Sequence, residues 1–212
     1  MRDAIIIQQA YTPDVEGAGL FSDMLRITMQ RHAAYARAHQ MDYVAYFGDY
    51  CQEKGLSTGG WHKIKMILDY LEKGYKYIFW IDTDAAIVDL EADLREAFTD
   101  KFIGCCEHNA NNIPAHLNVG VMFVKNGDGV KEFMREWWDA FPGDVRWMEQ
   151  GAFNDLVKKS DLVFKMDDKY NATVNVNMVE NPVIIGWHGL AIRNRITLMK
   201  KRFIDDHIRF RV

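Results

Sequence analysis

Short runs of apolar residues alternate along the chain with longer segments in which apolar residues recur every three or four positions. The most apolar run, 75–81, follows Gly74 and ends before two aspartates, which is typical of a central strand buried on both faces. The segment 130–141 carries its large apolar side chains at helical spacing, which predicts an amphipathic helix. Similar patterns predict further strands over 5–7, 43–47, 102–106, 119–124, 162–166 and 183–187, and further helices over 20–38, 61–71, 90–98, 148–158 and 192–203.

This alternation of strands and helices predicts the class of the fold. Strands joined through helices form right-handed crossovers, so we expect an α/β fold with a mainly parallel central sheet and helices on both faces. A chain of 212 residues, 49% of them hydrophobic, has the size of one such domain, and we assign residues 1–212 to it. Residues 106–114 include several asparagines and lack periodicity, so we expect them to form a mobile loop at the active site.

Composition excludes several classes of protein. The 26 basic and 30 acidic residues give a net charge of −4, which argues against a nucleic-acid partner. No segment approaches the roughly 20 apolar residues of a membrane span, and three cysteines, two of them adjacent, fit a reducing compartment. We therefore expect a cytoplasmic protein. The basic residues 200–202 are consistent either with a solvated helix face or with the start of a further C-terminal domain.

Two aspartates directly follow the most apolar strand. Residues 80–84 read Trp-Ile-Asp-Thr-Asp, and side chains two positions apart on a strand point to the same side. Ligands of open α/β sheets bind at the carboxyl ends of the strands, so Asp82 and Asp84 are expected at such a site. Two neighbouring carboxylates repel each other unless a cation lies between them. The alternative is a solvated turn, because this short pattern is common by chance.

A histidine follows the strand predicted over 183–187. His188 is preceded by Gly186 and Trp187 and followed by Gly189, and the glycines allow a ligand or the backbone to approach closely. The alternative is a packed, hydrogen-bonded histidine. Two carboxylates and one imidazole suit Mn²⁺ or Mg²⁺, whose coordination shell leaves positions open for phosphate oxygens. The sequence therefore predicts a divalent metal held by Asp82, Asp84 and His188.

Five short motifs span most of the chain. They are Trp61-His62-Lys63, Trp80-Ile81-Asp82-Thr83-Asp84-Ala85-Ala86-Ile87, Leu117-Asn118-Val119-Gly120, Glu149-Gln150-Gly151-Ala152-Phe153 and Trp187-His188-Gly189. In this order they resemble the GT-A glycosyltransferases, most closely the galactosyltransferase family named after the yeast GMA12 and MNN10 proteins. The chain also resembles the amino-terminal domain of chlorella-virus glycosyltransferases. The resemblance implies a GT-A fold in which residues 1–90 bind the nucleotide and residues 91–212 bind the sugar and the acceptor.

The resemblance also implies a role for each matching residue. Gln150 would lie beside the anomeric carbon, Glu149 would hold donor hydroxyls, and Lys63 would approach the diphosphate or the sugar. Without such roles, Lys63 is an ordinary solvated helix residue, and Glu149 and Gln150 begin a helix. The nucleotide sugar would be bound by residues from 8 to 11 and by the later motifs, specifically Gln8, Ala10, Tyr11, Lys63, Asp82, Thr83, Asn118, Gly120, His188 and Gly189.

The implied activity is metal-dependent transfer of a hexose or deoxyhexose from a UDP-sugar to a glycan or glycoprotein acceptor. We expect retention of configuration, as the resemblance implies. An inverting enzyme needs a carboxylate base, and the sequence points to none in particular, although Asp144 and Asp155 are possible. One alternative is a haloacid-dehalogenase-type phosphatase with Asp82 as nucleophile and residues 167–168 as magnesium ligands. Another is a non-catalytic domain that binds sugar nucleotides. A dinucleotide-binding dehydrogenase is disfavoured, because no Gly-x-Gly-x-x-Gly follows the first strand.

Overall fold

The computed structural model of the chain describes residues 2–11, 19–51, 59–109, 115–141 and 148–209. Residues 110–114 of the expected mobile loop and Asp144 therefore lie outside the described residues. The strands are β1 (Ala4–Ala10), β2 (Asp42–Phe47), β3 (Tyr77–Ile81), β4 (Ala85–Ile87), β5 (Ile103–His108), β6 (His116–Lys125), β7 (Val163–Lys165), β8 (Ala172–Thr173) and β9 (Ile184–Gly186). The helices are α1 (Gly19–Ala38), α2 (His62–Glu72), α3 (Val130–Asp139), α4 (Met148–Val157) and α5 (Ile192–Arg209), and within the described residues short 3₁₀ segments cover Gly59–Trp61, Leu94–Ala97 and Asp168–Asn171.

Six strands form the main sheet in the order β2-β1-β3-β6-β5-β7. Five of them run in the same direction, and β6 runs antiparallel to both of its neighbours, β3 and β5. The prediction of a mainly parallel sheet is confirmed. The direction of β6 matters for the site, because it brings the first half of β6 to the edge where β3 ends.

A second sheet has three short strands in the order β4-β9-β8. The central strand β9 is antiparallel to β4, with Ala85 opposite Gly186, and parallel to β8. Of these strands the sequence patterns predict only β9, which lies within the longer apolar run 183–187. They do not predict β4 and β8, which span three and two residues. This small sheet joins the segment that follows β3 to the segment that precedes α5.

The predicted helix over 90–98 is wrong, since only Leu94–Ala97 forms a single 3₁₀ turn. Two aspartates before it compete for the backbone donors that a helix needs. The Asp89 carboxylate accepts from the Glu91 N–H at 3.0 Å, and the Asp93 carboxylate accepts from the Arg95 N–H at 2.9 Å. Such local side-chain bonds favour turns over helices.

Two apolar layers enclose the main sheet. On one face lie Trp61, directly before α2, Trp137 of α3 and Phe153 of α4, with the Trp137 and Phe153 rings 4.8 Å apart. On the other face Tyr35 of α1 lies in a layer with Phe79 and Phe123 of the sheet. The prediction of helices on both faces is confirmed. Of the helices that the structure describes, none combines the length and the apolar character needed to cross a bilayer.

A buried histidine ties α1 to both sheets. The His32 Nε2 accepts from the Ile87 N–H at 3.0 Å, and its Nδ1 lies 2.6 Å from the Gln8 Oε1. Only the neutral ring with its proton on Nδ1 satisfies both contacts, because Nε2 is an acceptor and the Gln8 oxygen needs a donor. Burial lowers the pKa of His32 to about 3, with a smaller contribution from Arg31, so this neutral form is favoured.

This histidine predicts a loss of stability in mild acid. Its folded pKa lies below its unfolded value, so the unfolded chain binds a proton first and stability falls as the pH drops from about 6.5 towards 3. Between pH 7 and pH 5 the loss from this group is roughly 2 kcal/mol. Urea unfolding of His32→Gln should show a lower stability at pH 7 and a difference from the unmodified protein that narrows at pH 5. An equal difference at both pH values would contradict this.

Candidate functional site

The site forms where β3 ends beside the first half of β6. The Asp82 N–H donates to the Gly120 carbonyl at 2.7 Å, which fixes the end of β3 against its antiparallel neighbour. Asn118 lies two residues earlier on the same strand, and its Oδ1 accepts from the Gly120 N–H at 2.9 Å. Predicted residues from two motifs, separated by more than thirty positions in the chain, therefore meet at one sheet edge.

The two aspartates occupy a turn between the sheets rather than one face of a strand. The Asp82 carbonyl accepts from the Ala85 N–H at 3.0 Å, which closes the turn, and Asp84 directly precedes β4. The Trp187 N–H donates to the Asp84 carbonyl at 2.9 Å and extends the β4–β9 pairing. The predicted alternation of side chains along a strand therefore does not explain why Asp82 and Asp84 lie at the same site. Asp84 and His188 come together because the second sheet pairs the segments that carry them.

The Asp82 and Asp84 carboxylates and the His188 imidazole form a cluster suited to a metal ion. Each offers one donor atom, and these atoms lie within 4.8 Å of one another. Among the described residues no other set of this kind is found, so Asp167 and Asp168 do not form one. Two carboxylates with one imidazole and no thiolate match the preferences of Mn²⁺ and Mg²⁺. The donor set therefore fits a divalent cation.

Asp84 is the buried anchor of this cluster. Its side chain is 7% exposed, its Oδ1 lies 3.0 Å from the His188 Nδ1, and its Oδ2 accepts from Arg195 at 2.6 Å. Burial alone would raise the pKa of Asp84, but the neighbouring His188 and Arg195 outweigh it and lower the pKa to about 2. The carboxylate is therefore ionised at neutral pH, as a metal ligand must be.

His188 is oriented by a second residue that the sequence patterns do not reveal. Its Nε2 lies 3.3 Å from the Oδ1 of Asn171, and Asn171 also donates to the Asn118 Oδ1 at 3.0 Å. Burial would lower the pKa of His188, but Asp84 outweighs this effect and the pKa is raised. A β-carbon at Gly186 would lie 2.7 Å from the imidazole, so the glycine leaves room for the ring.

Lys63 lies between two carboxylates in the interior of the site. Its Nζ is 3.3 Å from the Asp82 Oδ1 and 3.5 Å from the Glu149 Oε1, and it donates to the Val119 carbonyl at 3.1 Å. Burial would lower the pKa of Lys63, but the two carboxylates outweigh it and raise the pKa. Lys63 is 3% exposed and is not the solvated helix residue of the alternative interpretation.

Glu149 lies on the other side of Lys63 from Asp82, and its side chain is 14% exposed. Burial raises its pKa, and Lys63 opposes that effect. The side chain fits against Gly60, where a β-carbon would lie 2.1 Å from the Glu149 Oε2. Only a glycine at position 60 allows the carboxylate to reach Lys63 in this way.

These groups line a cleft of about 200 Å³. Six of the predicted residues contribute to its wall, namely Tyr11, Lys63, Asp82, Thr83, Asp84 and Glu149. Its other walls are formed by Gln9, which lies in the predicted range 8–11 without being singled out, and by residues to which the sequence assigns no role, namely Phe21, Gly60, Trp80 and Arg195. A second cleft is lined by the predicted residues Asn118, Gln150, His188 and Gly189, among others. Gly120 is buried next to His188, and a β-carbon at position 120 would lie 2.7 Å from the imidazole ring.

The structure does not bring Gln8 and Ala10 to the cleft wall. Both are fully buried, and the Gln8 Oε1 accepts from the Tyr43 hydroxyl at 2.8 Å in addition to its contact with His32. Gln9 points the other way because side chains alternate along β1, and it reaches the cleft. Gln8 supports the site from behind, through a 3.5 Å bond from its Nε2 to the Asp82 carbonyl.

Two further residues with a part in the site have only weak sequence signals. Arg195 lies in the first turn of α5, seven positions after His188, so a basic residue shortly after the last motif is the one signal that points to it. Asn154 bonds both backbone groups of Leu117, at 2.8 and 2.9 Å, and thereby holds α4 and Gln150 against β6. It follows Gln150 by one helical turn.

Comparison with known proteins gives one family. Residues 22–180 match the family model of nucleotide-diphospho-sugar transferases. No curated protein matches the sequence significantly.

Many solved structures share the fold. A glycosyltransferase involved in the glycosylation of the major capsid of PBCV-1 has a TM-score of 0.70 at 14% identity, covering 93% of this chain and 98% of that one. Mouse xyloside xylosyltransferase 1 has a TM-score of 0.51 at 10% identity, over 89% and 98% of the chains. The galactosyltransferase LgtC, bound to donor and acceptor sugar analogues, has a TM-score of 0.52 at 12% identity, over 93% and 95%. The predicted resemblance to a chlorella-virus glycosyltransferase is confirmed.

Proposed function

Because the chain belongs to the nucleotide-diphospho-sugar transferase family and has the GT-A fold, we propose that it transfers a hexose or deoxyhexose from a UDP-sugar to a glycan or glycoprotein acceptor with the help of Mn²⁺ or Mg²⁺. The observation that carries this proposal is the cluster of Asp82, Asp84 and His188, whose two carboxylates line the first cleft and whose imidazole lines the second. A divalent cation held there would bind diphosphate oxygens and stabilise the charge of the leaving group.

The nucleoside would occupy the end of the cleft formed by aromatic side chains. The Tyr11 and Phe21 rings lie 5.3 Å apart, and both line the cleft with the amide of Gln9. Aromatic faces bind a nucleobase by stacking, and an amide can hydrogen-bond the edge of a uracil ring. This arrangement supports a nucleotide donor, and the choice of uridine follows the family resemblance.

The diphosphate would lie between the metal cluster and Arg195. In the structure the Arg195 guanidinium bonds the Asp84 Oδ2, and it lines the cleft. A guanidinium presents several donors in one plane and binds phosphate oxygens in pairs, so Arg195 is suited to turn towards a bound diphosphate. Because the protein is acidic overall, a basic residue and a cation at this point supply the positive charge that a diphosphate requires.

The donor sugar would lie between Glu149 and Gln150, at the junction of the two clefts. The Glu149 carboxylate is available to accept from sugar hydroxyls, and Lys63 holds it in place at 3.5 Å. The Gln150 Oε1 accepts from the Val119 N–H at 3.2 Å, which fixes its side chain at the wall of the second cleft. We assign Gln150 to the face of the anomeric carbon opposite the leaving diphosphate.

Retention of configuration agrees with the position of Asp155 in the structure. Asp155, one of the two candidate bases, is exposed on α4 and pairs with Lys158 at 2.7 Å, and it does not line either cleft. The other candidate, Asp144, lies outside the described residues. A retaining transferase needs no such base, because the departing phosphate can take the proton of the acceptor hydroxyl.

Neither alternative function has comparable support. The phosphatase interpretation loses its basis because the chain belongs to a transferase family and residues 167–168 lie outside the acidic cluster. A non-catalytic domain would bind the sugar nucleotide in the cleft lined by Lys63 and Asp82, which we call the donor cleft, but would not hydrolyse or transfer the sugar. We retain the cytoplasm as the proposed location, since Cys105 and Cys106 are buried thiols that form no disulfide.

A thermal-shift panel tests this function directly. UDP, GDP, ADP and several UDP-sugars are each added with Mn²⁺ and with a chelator. A ligand at one hundred times its dissociation constant stabilises the folded protein by roughly 2.7 kcal/mol, which is a readily measured shift. We expect a shift with the uridine ligands in Mn²⁺ and its loss in chelator, together with slow hydrolysis of one UDP-sugar. No shift with any nucleotide in any metal would refute the proposal, and binding without hydrolysis or transfer would favour the non-catalytic domain.

A further inference from the structure

The two oxygens of the Asp82 carboxylate have different surroundings. Oδ1 accepts a hydrogen bond from the indole Nε1–H of Trp80 at 2.6 Å and lies 3.3 Å from the Lys63 Nζ. Oδ2 has no hydrogen-bond donor among the residues that the structure describes. The Asp82 side chain lines the donor cleft and is 32% exposed. Oδ2 is therefore the oxygen of Asp82 that remains available to a cation entering the cleft.

Trp80 is placed rigidly enough to hold the other oxygen. It lies on β3, between β1 and β6 in the main sheet, and only 2% of the residue is exposed. Trp80 and Asp82 are two positions apart, and the Asp82 N–H continues the pairing of β3 with β6 through its bond to the Gly120 carbonyl. Their side chains therefore point to the same side of the sheet. The indole N–H is a fixed donor, and the orientation of the carboxylate follows from it.

The chemical nature of this donor suits a site for a cation. The indole nitrogen only donates, and it carries no charge. Lys63 already brings one positive charge to the same oxygen and shares it with Glu149. A second charged donor in the place of Trp80 would repel an incoming metal ion. Trp80 orients Asp82 while leaving the negative charge of the carboxylate for the metal.

The bond from Trp80 also limits how Asp82 can bind a metal. A carboxylate binds an ion through both oxygens only when both point at it, and Oδ1 already faces two donors. Ca²⁺ takes about six to eight oxygens and often uses both oxygens of one carboxylate, whereas Mg²⁺ requires a compact octahedral shell. Octahedral oxygen sites also suit Mn²⁺. Rotation of Asp82 into the two-oxygen mode would break its bond to Trp80.

We propose that Trp80 is a positioning residue that restricts Asp82 to one metal-facing oxygen and thereby favours Mn²⁺ or Mg²⁺ over Ca²⁺. This inference rests on the proposed function, because it requires a metal at the cluster of Asp82, Asp84 and His188. Residues that orient metal ligands typically change metal affinity by roughly 10–100-fold when they are replaced. Loss of the indole N–H leaves the carboxylate free to turn, so it weakens Mn²⁺ binding and gives Ca²⁺ access to both oxygens.

The test compares two ions in the same variant. Mn²⁺ binding in the presence of UDP is measured from the loss of the free-ion EPR signal, against the same mixture without protein, and Ca²⁺ is then titrated as a competitor. The unmodified protein should bind Mn²⁺ more tightly than Ca²⁺. In Trp80→Phe we expect the ratio of Mn²⁺ to Ca²⁺ affinity to fall by about fivefold or more. Because the ratio is taken within one variant, partial loss of folded protein cancels.

Two further proteins separate the hydrogen bond from the bulk of the ring. A benzothiophene analogue of tryptophan at position 80 keeps the two-ring shape and replaces the N–H by sulfur, so it should lower the ratio as Trp80→Phe does. Trp138→Phe removes the same atoms from a buried position on α3 that lines neither cleft, and it should leave the ratio unchanged. If Trp80→Phe does not fold, the analogue decides the question.

The outcomes distinguish this inference from the proposed function. If the unmodified protein binds no Mn²⁺ in the presence of UDP, both are refuted. If it binds Mn²⁺ but does not prefer it to Ca²⁺, Trp80 confers no selectivity and only the inference is refuted. The same conclusion follows if the analogue at position 80 leaves the ratio unchanged, or if Trp138→Phe lowers the ratio as much as Trp80→Phe does.

Discussion

Replacement of Asp84 by asparagine is expected to remove metal-dependent donor binding and to lower transfer by roughly 10²–10³-fold. Asp84 supplies the buried charge of the cluster, and its neighbours His188 and Arg195 keep it ionised. An amide of the same shape keeps the turn, because the bond from the Trp187 N–H goes to the Asp84 backbone carbonyl. The expected magnitude is that of losing one group which stabilises developing charge in a site sheltered from water.

Calorimetry of UDP binding in Mn²⁺ measures this effect without relying on turnover. Asp100→Asn is the matched control, since it removes one carboxylate at an exposed position away from both clefts. We expect the control to bind UDP as the unmodified protein does, and Asp84→Asn to bind it equally weakly with Mn²⁺ and with chelator. Unaltered UDP binding by Asp84→Asn in Mn²⁺ would show that this residue is not a ligand of the required metal.

Replacement of Lys63 by methionine is expected to cost stability as well as activity. The ammonium group lies within 3.5 Å of two carboxylates, and its removal leaves Asp82 and Glu149 facing each other without a cation. Breaking a buried ion pair in this way costs about 3–5 kcal/mol. Transfer should fall as well, because Lys63 lines the donor cleft and positions both carboxylates.

A second variant separates the two effects. Lys63→Met combined with Glu149→Gln removes one of the stranded charges, so urea unfolding should show that most of the lost stability returns while transfer stays low. Lys65→Met on the same helix is the control, because Lys65 forms a more exposed ion pair with Asp69 and its loss should cost no more than about 1 kcal/mol. If the double variant is as unstable as Lys63→Met alone, repulsion between the carboxylates is not the cause.

Much of the fold can be predicted from apolar patterns, but the direction of β6 cannot. The runs at 75–81 and 119–124 both indicate buried strands, and both are found as β3 and β6. Whether two strands are parallel depends on the path of the connection between them, and part of that path runs through residues with no periodicity. The apolar pattern does not indicate the short strands β4 and β8 for a different reason. Two or three residues are too few to show a period.

The polar residues of the site were easier to predict than the residues that support them. Asp82, Asp84 and His188 each follow or precede an apolar strand, which is a local signal. Asn171 has no such signal, because its function depends on contacts with Asn118 and His188, which are distant in sequence. The apolar pattern predicts that the first strand ends at residue 7, so it does not place Gln8 and Gln9 on opposite faces of a strand. In the structure the strand continues to Ala10.

The division of the metal cluster between two sheets has a consequence for the folding of the molecule. Asp82 and Asp84 are separated from His188 by about a hundred residues, and the pairing of β4 with β9 brings the two segments together. Contacts with such large sequence separation form late, after the local elements are in place. The strands that hold the cluster together have only three residues each and belong to the smaller sheet, so we expect them to open more readily than the six-stranded sheet. The candidate metal site is therefore expected to be the last part of the domain to assemble and among the first to open.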